Sequence, residues 1–104
     1  MRILTDYTGL LIRLTDERLI HILEHPEMAS MEDRIGETLA RPETVIESLS
    51  DPAARLYYRF YVGTKGGDKH LCIIVKLSGD DAFVVTAYLT DSVKKGRVIW
   101  ASEK

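Results

Sequence analysis

The stretch RLYYRFYVGTKGGDKHLCIIVKLSGDDAFVVTAYLT, residues 55–90, decides the fold. It contains three runs rich in β-branched and aromatic residues: Arg55 to Val62, His70 to Leu77 and Ala82 to Leu89. Such residues suit a pleated, half-buried surface. The connections, Gly63-Thr64-Lys65-Gly66-Gly67-Asp68 and Ser78-Gly79-Asp80-Asp81, are short and dense in turn formers, so an antiparallel meander is predicted. Strand side chains alternate in direction, which divides each run into two faces. Leu56, Tyr58, Phe60 and Val62 oppose Arg55, Tyr57, Arg59 and Tyr61 in the first run. Leu71, Ile73, Val75 and Leu77 oppose His70, Cys72, Ile74 and Lys76 in the second, and Phe83, Val85, Ala87 and Leu89 oppose Val84, Thr86, Tyr88 and Thr90 in the third. Packing the apolar sets against a core leaves an opposite face with Tyr57, Arg59, Lys76, Thr86 and Tyr88 and no carboxylate, provided no bulge shifts the register. Cations, hydroxyls and rings on an open sheet can meet phosphates and unstacked bases. The same residue types also suit a plain solvated face through strand propensity alone.

Outside this stretch, residues 1–13 alternate around the turn-like Asp6-Tyr7-Thr8-Gly9 and predict two short strands or a hairpin at an edge. Thr15 caps a helix from Asp16, where Asp16 and Glu17 suit the positive helix start and Leu19, Ile20 and Leu23 have buried spacing. Pro26 closes that helix after His25. Ser30 caps a second helix, with Asp33 at the reciprocal position, Ile35 and Leu39 toward the core and Pro42 barring extension past Arg41. Residues 43–48 and 97–101 predict further short strands, and Asp51-Pro52 a turn. The expected architecture is one α+β domain over residues 1–104, with N-terminal helices packed on one face of a curved antiparallel sheet.

The 104 residues suffice for one core. The lone Cys72 sits in an apolar run and reads as a buried structural thiol. No basic segment precedes a long apolar run, and nothing approaches the roughly 18 apolar residues of a membrane span, so a cytoplasmic protein with no membrane partner is expected. The net charge of -2 divides unevenly: residues 1–54 carry 5 Lys or Arg against 11 Asp or Glu, and residues 55–104 carry 9 against 5. A polyanion site is therefore expected on the second half.

Taken together, His21-Ile-Leu-Glu-His25-Pro26-Glu27-Met28, Arg41-Pro42-Glu43, Leu56-Tyr57-Tyr58-Arg59, Leu71-Cys72-Ile73-Ile74-Val75-Lys76 and Val85-Thr86-Ala87-Tyr88 resemble the phage-associated nuclease-like proteins of the barnase, EndoU, colicin and RelE superfamily. The resemblance spans about residues 15–100. It implies a barnase/RelE-like fold and a metal-independent endoribonuclease, a toxin or mobile-element effector, that cleaves RNA by attack of the 2′-hydroxyl on phosphate. The positions it highlights are His25 with His21 beside it, Arg59, Thr86 and Tyr88. It implies RNA as substrate, an antitoxin or immunity protein as a further partner, and no cofactor.

That chemistry needs a proton-transfer group and donors for charge on phosphorus. An imidazole with its ordinary pKa of about 6.5 suits the first task, and His25, at a helix end, is the first choice. Arg59 supplies a planar two-oxygen fork. Thr86 or Tyr88 would position the phosphate, and Tyr57, Lys76, Lys94 and Lys95 would bind RNA around it. His70, after a Gly-rich turn, is expected to be exposed. His21-Ile22-Leu23-Glu24-His25 also spells a zinc-peptidase pattern, but Pro26 ends its helix and strands follow where a third ligand helix should lie, so no metal is expected. The rival reading is a non-catalytic RNA- or protein-binding module, which would have no turnover to lose.

Overall fold

A computed structural model of the chain describes residues 1–102. Strands β1 (Arg2–Thr5) and β2 (Leu11–Leu14) are followed by helices α1 (Asp16–Leu23) and α2 (Glu32–Ala40), with a 3-10 turn at Pro26–Met28 between the helices. Then come β3 (Thr44–Ser48), β4 (Ala54–Thr64), β5 (Gly67–Ser78), β6 (Asp81–Thr90) and β7 (Gly96–Ala101). All seven strands join one sheet in the order β1-β2-β6-β5-β4-β3-β7. The expected meander is present as β4-β5-β6, and each of its pairings is antiparallel.

The architecture nevertheless differs from helices packed on an antiparallel sheet of barnase/RelE type. The N-terminal hairpin docks through β2 parallel to β6, with Arg13 beside Phe83, which makes the sheet mixed. At the other end β3 and β7 extend it beyond β4. The helices have only 8 and 9 residues and cannot form a layer of their own. The fold is sheet-dominated, and the two helices cover part of one face.

Local signals account for the helices. Thr15 accepts the backbone N–H of Arg18 at 3.1 Å and starts α1 as predicted. Its buried residue is Ile22, however, while Ile20 is 64% exposed, because only a narrow stripe of this short helix reaches the sheet. Helix α2 is preceded by Met31, not capped by Ser30: Met31 is buried in the core and draws the helix start past the exposed Ser30. Ile35 and Leu39 are buried as expected.

Register decides which side chains share a face. Tyr57 lies beside Ile73 and Ile73 beside Ala87, and this row belongs to the core beneath the helices together with Ile12, Leu14, Ile22, Ile35 and Leu39. Leu56, Tyr58, Cys72 and Ile46 form a second buried cluster on the other face. The face assignment predicted for β4 is therefore reversed: Tyr57 and Arg59 turn to the helix side, Tyr58 and Phe60 away from it. In β6 a bulge between Ile74 and Val75 of the partner strand changes the alternation partway, so Ala87 and Val84 both reach the core.

Tyr57 is fully buried and its hydroxyl donates to Asp6 Oδ2 at 2.7 Å. The other carboxylate oxygen accepts from the Thr8 N–H, the Thr8 hydroxyl and the Leu10 N–H at 2.7 to 3.0 Å. One phenol thus ties the β1-β2 turn to the centre of the sheet. Replacing Tyr57 with Phe should cost about 2 kcal/mol, since a buried carboxylate loses a donor and cannot recover it from water. Urea unfolding measures this, and a loss below about 0.5 kcal/mol would mean that the bond carries no stability.

Candidate functional site

The connection from β6 to β7 shapes the second face. Strand β7 lies four strand positions from β6, roughly 19 Å across a flat sheet. It also starts some six residue rows lower, roughly 20 Å, since Gly96 pairs with Ser48 while Thr90 pairs with His70. Residues 91–95, with their flanking bonds, reach at most about 21 Å. A flat sheet cannot be bridged that way, so the sheet curls and the second face is concave. The connection crosses it as a strap: the Lys94 N–H donates to the Tyr58 hydroxyl at 3.2 Å. Gly96 admits the strap to the sheet, because a Cβ there would lie 2.6 Å from the Glu47 carbonyl oxygen.

Beneath the strap lies the row Tyr58, Cys72, Tyr88, and beside it Leu56, Ile74, Thr86. Burial pushes both phenols and the Cys72 thiol up from their ordinary values, so all three are neutral hydrogen-bonding groups near neutral pH. At one end the row Phe60, His70, Thr90 opens to solvent. Phe60 is 41% exposed and its ring meets half-buried His70 edge-on, with centroids 5.0 Å apart. At the other end Ile46, Leu49, Ala54, Leu56 and Ile74 line a groove of about 340 Å³, rimmed by Lys94 and Lys95. Both lysines are exposed, and neither has an ion-pair partner among the described residues.

The residues predicted to act together are divided by the sheet. Thr86 and Tyr88 lie on the second face, half-buried. Arg59 lies on the helix face, in the row of Leu71 and Leu89, with its guanidinium donating to the Arg41 carbonyl at 2.8 Å. His21 and His25 are exposed on and just after α1, their rings 6.5 Å apart, with His21 Nδ1 3.3 Å from Glu24. Tyr57 is in the core and unavailable to RNA. Lys76 is ion-paired with Asp51 and holds that carboxyl below the usual carboxylate range. Of the expected set, Thr86, Tyr88, Lys94 and Lys95 share a region. Phe60 and His70 complete it. Phe60 was missed because its run looked like the core set; the pairing of Tyr57 with Ile73 is the signal that reverses it.

On the helix face a polar cluster joins α2 to β4. The Tyr61 hydroxyl donates to Glu37 at 2.7 Å and lies 3.1 Å from the Thr38 hydroxyl. Tyr61 is pushed up to about 12, chiefly by burial. Its hydroxyl, with help from Arg34, holds the Glu37 carboxyl below its ordinary value of 4.5. No family model, curated protein or solved structure matches the chain.

Two outcomes follow from these contacts. A depressed carboxyl stabilises the fold above its unfolded value and loses that contribution as pH falls through the folded one. Tyr61→Phe should therefore flatten the decline in stability as pH falls below the ordinary carboxyl value of 4.5, seen as a smaller change in urea midpoint; an unchanged slope would deny the phenol this role. Tyr58→Phe frees the strap from a bond worth about 1 kcal/mol, so trypsin should cut after Lys94 and Lys95 about fivefold faster. An unchanged cutting rate would mean that the strap is held by other contacts.

Proposed function

We propose that this domain is a non-catalytic RNA-binding module that takes a single-stranded segment on its concave second face. The observation that carries the reading is the combination of the open Phe60-His70 end with two exposed strap lysines that have no ion-pair partner among the described residues. Bases stack on exposed rings whatever their sequence, and phosphates take ammonium partners. The hydroxyls of Thr86 and Tyr88 add hydrogen-bonding groups between the two ends. A strand laid across this face would meet no carboxylate in the rows of Tyr58, Leu56 or Phe60.

Metal-independent cleavage requires His25, Arg59 and either Thr86 or Tyr88 around one phosphate, and the sheet stands between Arg59 and the late hydroxyls. The phenols and thiol nearest the strap are held neutral, which suits binding better than proton transfer. No helix among the described residues is long and apolar enough to cross a membrane, and the reading places the domain with RNA in the cytoplasm.

Fluorescence anisotropy with a labelled 12-nucleotide RNA, with gel analysis of the same samples in chelator, tests the reading. Phe60→Ala should weaken binding by about fivefold or more, in line with about 1 to 3 kcal/mol per stacked base. The double variant Lys94→Ala, Lys95→Ala should reduce the magnitude of the salt slope by about 1.4, the single-strand value for two phosphates. The RNA should remain intact throughout. Cleavage by the wild type that disappears in His25→Ala would replace this proposal with the enzymatic one, and equal affinity in all variants would remove the second face from consideration.

A further inference from the structure

A second concavity lies on the helix side of the sheet, near its β7 edge. Tyr7, Arg41, Pro42, Arg59, Trp100 and Ser102 are among the residues enclosing about 580 Å³, within the range of small-molecule sites. One wall is aromatic. The rings of Tyr7 and Trp100 lie 4.8 Å apart at 36° and are both half-buried, so part of each remains open. Tyr7 is fixed in place: its N–H donates to the Leu39 carbonyl at 3.0 Å and its ring meets Tyr57 edge-on, 6.3 Å between centroids.

The facing wall is cationic. Arg59 has one guanidinium nitrogen anchored to the Arg41 carbonyl, which orients the group without neutralising it. The Arg41 side chain is 74% exposed and lies 3.6 Å from Glu37, a loose pair that water weakens further. Glu43 also lines the cavity, with one carboxylate oxygen accepting the Phe60 N–H at 2.8 Å. Among the lining residues the cations Arg41 and Arg59 outnumber the carboxylate Glu43, in a chain of net charge -2.

We infer that this cavity binds a flat heterocycle bearing a phosphate, a ligand of nucleoside monophosphate size. The ring would stack against Trp100 and Tyr7, and the phosphate would take the Arg59 and Arg41 forks. Stacking without the anion would leave both guanidinium forks to water and their weak existing partners, and phosphate alone would leave the aromatic wall wet. Both parts are needed on one molecule. The chemistry is shared by a free nucleotide and by the phosphorylated end of an RNA strand. The inference uses residues distinct from the proposed RNA surface and stands apart from that reading.

Trp100 is the sole tryptophan, so intrinsic fluorescence reports directly on the site. Titration with adenosine monophosphate should quench it saturably, with adenosine and inorganic phosphate each at least about tenfold weaker. Arg59→Gln should weaken the nucleotide by about tenfold, with a urea midpoint measured alongside to confirm folding; Arg41→Gln serves as the second variant should Arg59→Gln unfold. The Lys94→Ala, Lys95→Ala protein should bind the nucleotide as the wild type does. Competition by a 5′-phosphorylated RNA but not its 5′-hydroxyl twin would assign the pocket to strand ends, and absence of competition would assign it to free nucleotide. No saturable quenching at millimolar nucleotide, or equal affinity in both arginine variants, would overturn the inference.

Discussion

The bond from Tyr57 to Asp6 is the constraint on which the rest of the structure depends. It joins a side chain at the middle of β4 to a carboxylate in the first turn of the chain, 51 residues away. Burying that carboxylate is tolerable only because four donors surround it. Once Tyr57 is committed to this contact, the alternation of β4 is settled in both directions. Arg59 and Tyr61 must follow it toward the helices, and Tyr58 and Phe60 must face away. A strand with aromatic residues on both sides has no free choice of face after one of them is claimed.

Two separate chemical surfaces arise from that choice. The concave side receives rings and the lysines of the strap, while the helix side collects arginines where α2, β4 and β7 approach one another. Each combines rings with cations, a pairing suited to nucleotides, and they differ in shape: one is a trough across the sheet, the other a shallower recess near its edge. The buried Tyr58 phenol holds the strap's backbone, and like the half-buried Tyr88 phenol it stays uncharged near neutral pH.

Much of the local structure was legible in the residues. The Thr15 cap, the three long strands with their Gly-rich turns, and the burial of Cys72, Ile35 and Leu39 all follow from short-range rules that tertiary packing reinforced. The parity of β4 was not legible, since Leu56 and Tyr58 look as much like core as Tyr57 does, and both sets are in fact buried. Nor could alternation cross the bulge in β6, which changes face without any mark in the sequence. The parallel contact between Arg13 and Phe83 joins segments 70 residues apart, and no periodicity encodes such a pairing. The recess on the helix side escaped for the same reason: Tyr7, Arg41, Arg59 and Trp100 are scattered along the chain and meet only after folding.

The glycine at the entry to β7 bears on the order of assembly. Hairpins β4-β5 and β5-β6 close over a few residues, whereas β7 must find β3 some fifty positions earlier and can do so only after the sheet has curled enough for the strap to span it. Loop-closure entropy therefore weighs most heavily on this strand. Until it docks, the trough lacks its lid and its lysines, and the recess lacks its indole, so maturation of both surfaces is tied to a single late event.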